Sequence, residues 1–283
     1  MGTGERILVV EDDVELCSLL CALLQAEGYL ADGVHRGDAA VDRVTADCPD
    51  AVVLDVMLPG MSGYEVCRKL KFSRDTNLIP IVMLTALDTD EARDRGLLVG
   101  ANRYLTKPFE PARLPQELAW ALDHRRQLQA GRTRTSVELH MSSDSRHREQ
   151  LNDLLSELFL HTPLSEDDVE RIRYAVMEMT QNAIEWGNRR QPNLTVTISY
   201  EVTDDAVKIT IRDQGPGFDP TCVPHAASDD DPVRHMPIRE KLGLRDGGFG
   251  ILISKGMVDK LEYNHTGNQV TLVKFFRPGL RGD

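Results

Sequence analysis

Two kinds of apolar pattern divide this chain. Up to about residue 124, apolar runs at 7–10, 29–34, 51–56, 81–85 and 103–106 alternate with amphipathic stretches such as 15–27 and 64–71. That alternation predicts a doubly wound, five-stranded parallel sheet with helices on both faces, an α/β domain. Beyond residue 135 the pattern changes. Val169, Ile172, Val176, Met179 and Ala183 follow a 3–4–3–4 spacing and predict a helix over 167–187, begun near Ser165 and ended by Gly187. Residues 194–202 and 206–212 alternate around Asp204-Asp205, which predicts an antiparallel hairpin. An edge strand at 135–141, a helix at 145–160, a helix from Gly247 to about 260, and strands at 261–264 and 269–276 complete an α+β two-layer sandwich. Between the halves, Leu114, Leu118 and Ala121 form a helical stripe whose next position is Arg125, and a polar residue there argues against a long coiled coil. The predicted domains are therefore 5–124 and 135–277, with a linker at 125–134.

Composition narrows the classes. The 283 residues are 41% hydrophobic and 28% charged, as in a globular protein, and the net charge is −12. The acidity lies in the first half, where residues 1–124 hold 21 acidic and 12 basic side chains. No direct nucleic-acid binding is expected, because phosphate neutralisation needs clustered Lys and Arg. The one basic group, Arg125, Arg126, Arg132 and Arg134, reads as a solvated linker. No segment has membrane-spanning length, no signal peptide is evident, and Met-Gly-Thr-Gly-Glu-Arg lacks the Ser or Thr of a myristoylation site. Five scattered cysteines (17, 21, 48, 67 and 222) form no zinc-type pairs and suit reduced thiols, so a cytoplasmic location is expected.

In the first half the polar residues collect at the carboxyl ends of the predicted strands, where ligands bind in such sheets. Glu11, Asp12 and Asp13 follow the first run, Asp55 lies in the third, Thr85 ends the fourth, and Lys107 follows the fifth. Converging carboxylates repel unless a cation joins them, and a hard divalent ion such as Mg²⁺ suits oxygen ligands. One carboxylate can then attack a phosphoryl donor, with Thr85 and Lys107 on the phosphoryl oxygens. With Lys107-Pro108-Phe109, these residues make 5–124 resemble a response-regulator receiver domain. The resemblance implies Asp55 as phosphoacceptor, Glu11, Asp12 and the Met57 carbonyl as Mg²⁺ ligands, Thr85 and Tyr104 as a switch pair, and Lys107 as a phosphate contact. Glu11 stands where that family commonly has Asp. Dimerisation through this domain would be compatible with the pattern.

In the second half, Glu178 and Asn182 lie one helical turn apart. An Asn oxygen can coordinate Mg²⁺ while a carboxylate one turn away accepts a hydroxyl proton. Asp213 ends a predicted strand, placed to accept a hydrogen bond from an adenine amino group, and Gly215 and Gly217 permit a tight loop beneath a nucleotide. Gly247, Gly248 and Gly250 open a helix whose free N–H groups suit triphosphate oxygens. Singly, each group is ordinary surface or turn material. Together they resemble the GHKL (Bergerat-fold) ATPases, and more narrowly the anti-sigma-factor serine/threonine kinases of bacterial partner switching. Carrying that resemblance are Glu178-Met-Thr-Gln-Asn182-Ala, Asp213-Gln-Gly-Pro-Gly-Phe-Asp-Pro220, Gly247-Gly-Phe-Gly250 and Tyr263-Asn-His-Thr-Gly-Asn-Gln-Val-Thr-Leu-Val-Lys274. It implies ATP and Mg²⁺ as cofactors, Glu178 as catalytic base, Asn182 as Mg²⁺ ligand and Asp213 as adenine contact.

The chain departs from that pattern twice. Trp186 stands where these kinases often have His, and 221–246 forms a long lid-like segment containing Arg239, Lys241 and Arg245. His225 and His235, near Cys222, match no zinc spacing. The leading expectation is a regulator whose Asp55 phosphorylation controls a kinase-like output. Its partners would be an upstream histidine kinase or phosphotransfer protein, and a STAS-type anti-sigma-factor antagonist or a sigma factor. A non-catalytic, ATP-dependent protein-binding module is the alternative. A histidine kinase fits less well, since His161-Thr-Pro-Leu164 lacks the preceding Glu-containing turn and no long two-helix dimerisation module is present.

Overall fold

The structure is a computed structural model that describes residues 4–85, 97–143, 148–160, 162–219 and 248–277. The chain divides into two compact units, Met1–Glu138 and Leu139–Asp283.

In the first unit, β1 (Arg6–Val10), β2 (Leu30–Val34), β3 (Ala51–Asp55), β4 (Ile81–Thr85) and β6 (Arg103–Thr106) form a parallel sheet in the order β2-β1-β3-β4-β6. A short strand absent from the sequence expectation, β5 (Leu97–Gly100), precedes β6. The helices are α1 (Val14–Ala26), α2 (Gly37–Asp47), α3 (Gly63–Phe72) and α4 (Arg113–Ala130). Because strand side chains alternate, each apolar run feeds two cores. Ile7, Val9, Val53, Val82 and Leu84 meet Leu20 and Leu24 of α1 and Leu114 and Leu118 of α4. Leu8, Val10, Val52, Leu54, Ile81 and Met83 meet Ala40 and Val44 of α2 and Val66 and Leu70 of α3. The starts of α1 and α3 are local sequence effects. The Asp13 carboxylate accepts from Glu15 N and Leu16 N, and Ser62 and Glu65 form a reciprocal capping box.

Helix α4 runs to Ala130, so residues 125–130 are helical where the sequence pattern placed a linker. Arg125 is not merely solvated. Its Nη1 donates to the Asp50 carbonyl at 2.7 Å, tying the helix to the start of β3.

In the second unit and the residues leading into it, β7 (Thr135–Ser142), β8 (Thr195–Val202), β9 (Ala206–Arg212), β10 (Lys260–Tyr263) and β11 (Gln269–Phe275) lie in the order β10-β11-β9-β8-β7. The β8–β9, β9–β11 and β10–β11 pairs are antiparallel. Helices α5 (Arg148–Phe159), α6 (Glu166–Asn182) and α7 (Gly250–Met257) supply the other elements. Val196, Ile198, Tyr200, Ile209, Ile211, Val270 and Leu272 are buried on one sheet face, as are Leu151, Leu155, Ile172, Val176 and Met179 on the helices. Tyr200 locks α5 to the sheet, its ring edge-on to Phe159 at 5.7 Å and its hydroxyl donating to the Leu158 carbonyl at 3.1 Å.

Two helix ends differ from the sequence expectation. The helix predicted over 167–187 changes at Asn182 into a π turn, Ala183–Gly187, closed by Asn188 N donating to the Ala183 carbonyl at 2.8 Å. The wider turn swings Gly187 against the Asp213 carboxylate, an approach that only a residue without a side chain permits. Helix α7 stops at Met257 rather than near 260, because Val258 is already extended and leads into β10.

Candidate functional site

At the carboxyl edge of the first sheet, β1 delivers Glu11 and Asp12, β3 delivers Asp55, and the turn after β6 delivers Lys107. Glu11 and Asp55 are buried and Asp12 is exposed. One oxygen from each of the three carboxylates lies within 4.8 Å of the others, a spacing and donor set that fit a hard divalent cation. Lys107 Nζ reaches Glu11 Oε2 at 2.7 Å and Asp55 Oδ1 at 3.1 Å. Burial pushes the Glu11 and Asp55 carboxyls above the ordinary carboxylate range, and Lys107 offsets only part of this. Burial alone would lower Lys107, but its hydrogen bond to Glu11 and the Asp55 charge outweigh that and hold it above its ordinary value.

Thr85 is buried at the end of β4, and its carbonyl accepts from Lys107 N at 2.8 Å, so one strand end sets the lysine's origin. The Lys107-Pro108 peptide is cis. Tyr104 pairs in register with Met83, and Thr106 with Thr85, so Tyr104 lies on the sheet face shared by Met83 and Thr85. Its ring packs against the α2–α3 core, its hydroxyl accepts from Ala101 N at 3.0 Å, and burial raises its pKa. Met57 is 68% exposed on the loop after Asp55. The sequence reading missed Gly63 and His35. A Cβ on Gly63 would collide with the Asp55 carbonyl, so glycine lets α3 begin directly against the phosphoacceptor candidate's backbone. His35 Nδ1 lies 2.9 Å from the Glu11 carbonyl oxygen and braces that strand end.

The second site is built where α6 and α7 pack together. Glu178 and Asn182 are half-buried on α6. A Cβ on Gly250 would stand 2.6 Å from Glu178 Oε2 and 3.9 Å from Asn182 Nδ2, so the start of α7 lies directly against the Glu–Asn pair. Asp213 ends β9, with its N donating to the Asn268 carbonyl at 3.0 Å and its Oδ1 accepting from Gly215 N at 2.8 Å. Burial raises the Asp213 carboxyl, partly opposed by the Gly215 N–H.

The glycines divide by role. Gly217 and Gly248 have φ of +77° and +91°, the left-handed backbone that glycine adopts freely. Gly215 and Gly250 have no such φ and serve by leaving room for the Gly187 carbonyl and the Glu178 carboxylate. Gly247, the segment 221–246 with its Arg, Lys and His residues, and His161 lie outside the described residues. Trp186 is 46% exposed on the π turn. The sequence pattern marks Gly187 only as a helix end and Gln214 only within the Asp213–Pro220 phrase, and it gives no signal for Asn188.

The model of the response regulator receiver domain matches residues 7–119, and that of the histidine kinase-like ATPase domain matches residues 141–274. This chain is a receiver domain followed by a histidine kinase-like ATPase domain. Over 109 residues it is 46% identical to the phosphate regulon transcriptional regulatory protein PhoB of Rhizobium meliloti (strain 1021), covering 38% of this chain and 48% of that protein. It is also 46% identical over 109 residues to the response regulator PleD of Caulobacter vibrioides (strain NA1000 / CB15N), covering 38% of this chain and 24% of that one. The chain thus spans about half the length, or less, of these curated relatives. Among solved structures, the receiver domain of sensor histidine kinase PA1611 from Pseudomonas aeruginosa PAO1 is 31% identical with a TM-score of 0.39, covering 43% of this chain and 99% of that one. Receiver domains bind Mg²⁺ at an acidic site, and ATPase domains of this kind bind ATP. No described helix is long and apolar enough to cross a membrane.

Proposed function

We propose that this chain is a cytoplasmic two-component response regulator in which phosphorylation of Asp55 controls an ATP-dependent serine/threonine kinase output of the anti-sigma-factor type. In the receiver, Glu11, Asp12, Asp55 and the Met57 carbonyl would hold Mg²⁺, which supplies charge neutralisation when bound. An Asp55 oxygen forms the bond to phosphorus while the donor's leaving atom departs with its bonding pair. Lys107 and the Thr85 hydroxyl hold the new phosphoryl oxygens, and Thr85 with Tyr104 carries the change away from the site. The phosphoryl group comes from a histidine kinase or phosphotransfer protein.

In the ATPase domain, Asp213 would accept from the adenine amino group, with Gly215 and Gly217 in the adjoining loop, Asn182 would hold the nucleotide's Mg²⁺, and the helix start at Gly250 would receive the triphosphate. Glu178 takes the proton from a Ser or Thr hydroxyl of a STAS-type antagonist as that oxygen bonds to the γ-phosphorus and ADP leaves. The observation that carries this reading is the close approach of Gly250 to Glu178 and Asn182, with Glu178 Oε2 only 2.6 Å from where a Cβ of residue 250 would be.

The test incubates the purified chain with Mg-ATP and candidate antagonist proteins, wild type beside Glu178→Gln. Wild type is expected to transfer phosphate and the variant to lose transfer while still binding nucleotide. Transfer that survives Glu178→Gln removes Glu178 as the base. Nucleotide binding with no transfer by wild type supports instead a module that grips a sigma factor or antagonist without chemistry.

A further inference from the structure

Asn188, which follows the π turn, has 0% exposure, and both ends of its side-chain amide are occupied. Its Oδ1 accepts from Gln214 N at 2.8 Å, while its Nδ2 donates to Ser143 Oγ at 2.8 Å and to the Thr195 carbonyl at 3.0 Å. Gln214 N belongs to the peptide plane that leaves Asp213, so the first bond fixes how the Asp213 backbone turns out of β9. The net closes on itself. Ser143 Oγ donates to the Leu194 carbonyl at 2.9 Å, and Gln214 Oε1 accepts from Thr195 N at 2.8 Å. The end of β7, the start of β8 and the loop after β9 are thereby joined through one buried amide.

The adjacent Gly187 completes the fixation. A Cβ there would lie 2.6 Å from either Asp213 oxygen, so the backbone at Gly187 forms a wall against the carboxylate. On the other side Gly215 N holds Oδ1 at 2.8 Å; in the nucleotide-site reading Oδ2 is the oxygen that meets the base. The Asp213 carboxylate is confined from two sides, and Asn188 fixes the peptide that leads from Asp213 to Gly215.

We infer that Asn188 is a positioning residue that sets the purine preference of the nucleotide site through Asp213, an inference that rests on the nucleotide-site reading above. A carboxylate held in place accepts from the 6-amino group of adenine. Hypoxanthine and guanine carry a carbonyl oxygen there, and its lone pairs would meet the same carboxylate. Such rejection is strong only while the carboxylate cannot turn away. Asn188 does not touch the base, so its loss would relax selection without removing the selecting group.

The test uses the full chain and measures Mg-ATP and Mg-ITP dissociation constants by calorimetry, with thermal melts in parallel. Wild type is expected to prefer ATP, and Asp213→Asn to lose the preference. Asn188→Ala is expected to reduce the preference, the ITP:ATP ratio of dissociation constants, by about tenfold, the size of one lost charge-directed hydrogen bond. Ser143→Ala leaves the Asn188–Gln214 bond in place, so it should lower the melting temperature and keep the ratio. Asn188→Asp retains an acceptor for Gln214 N and should restore most of the preference despite lower stability. If Asn188→Ala does not fold, Asn188→Ser carries the test, because its hydroxyl is too short to reach the Gln214 amide.

A wild-type ratio in Asn188→Ala or Asn188→Ser, alongside a lost ratio in Asp213→Asn, overturns the positioning role and leaves the nucleotide site standing. No ATP preference in wild type, or none lost in Asp213→Asn, overturns the nucleotide-site reading itself, and the positioning role falls with it.

Discussion

Lys107 Nζ stands 3.1 Å from Asp55 Oδ1, joining the turn after β6 to the end of β3 across the carboxyl edge of the receiver sheet. The lysine also reaches Glu11 at 2.7 Å, so one ammonium serves two buried carboxylates. That arrangement is under-compensated, and burial leaves both carboxyls raised above their ordinary values of 4.5 and 3.8.

A raised carboxyl contributes stability below its unfolded value and loses that contribution as pH rises through its folded value. Glu11 and Asp55 should therefore make the metal-free receiver pocket less favourable as pH climbs from about 4 towards neutrality. Bound Mg²⁺ reverses the penalty only where the carboxylates are ionised. Melting temperatures with and without saturating Mg²⁺ should differ clearly at pH 7 and little near pH 4, and Asp55→Asn should shrink the pH 7 difference. Equal Mg²⁺ stabilisation at both pH values would contradict this account.

In the ATPase domain, the side chains of Asp168 and Lys274 are 2% and 7% exposed and stand 3.1 Å apart, with Ser165 Oγ donating to Asp168 at 2.9 Å. Burial raises the Asp168 carboxyl, but Lys274, Ser165 and Arg277 outweigh it, and the net direction is down. A lowered carboxyl contributes stability above its unfolded value and loses it as pH falls through its folded value. Asp168→Asn should cost about 3 kcal/mol in urea unfolding near pH 7, because Lys274 loses its closest counter-charge. The difference from wild type should narrow in acid.

Lys71 Nζ is buried in the receiver and donates to the Asn77 carbonyl at 3.0 Å, the Ile79 carbonyl at 2.9 Å and Asn102 Oδ1 at 2.9 Å. Burial lowers its pKa from 10.5 to about 8. Between those values the unfolded chain binds more protons than the folded one, so this group makes stability rise with pH. Buried Cys67 and Tyr104 shift upward and act in the opposite direction. The effect of Lys71 is therefore read as a difference: the stability of wild type relative to Lys71→Met should increase from pH 7.5 to 9.5. A flat difference would place the lysine's titration outside that window.

Gly250 and Gly217 should respond oppositely to alanine. At Gly250 the new methyl meets the movable end of Glu178, and alanine favours the helix by roughly 1 kcal/mol, so stability should hold while nucleotide turnover falls at least about tenfold. At Gly217 the φ is +77° and the methyl would overlap the Thr266 carbonyl oxygen, so unfolding free energy should drop by about 2 kcal/mol or more. Denaturant melts and a nucleotide-hydrolysis assay on both variants separate the two roles.

Much of this protein was determined by order along the chain. The receiver strands are legible because each apolar run supplies both sheet faces, and Glu11, Asp55, Thr85 and Lys107 meet because parallel strands end at one edge. The hairpin of β8 and β9 and the main length of α6 follow from periods of two and of about 3.6 residues. Only the tertiary structure decided the rest. The conversion of 183–187 into a π turn and the use of Asn188 as a buried clamp have no periodic signature. The clamp depends on Ser143, Thr195 and Gln214, residues 45, 7 and 26 positions away in sequence, arriving at one amide. The approach of α7 to Glu178 likewise depends on α7 returning to α6 with a glycine at position 250. Local pattern records a residue's preference for water or apolar contact, whereas these features depend on which distant backbone groups are left needing a partner.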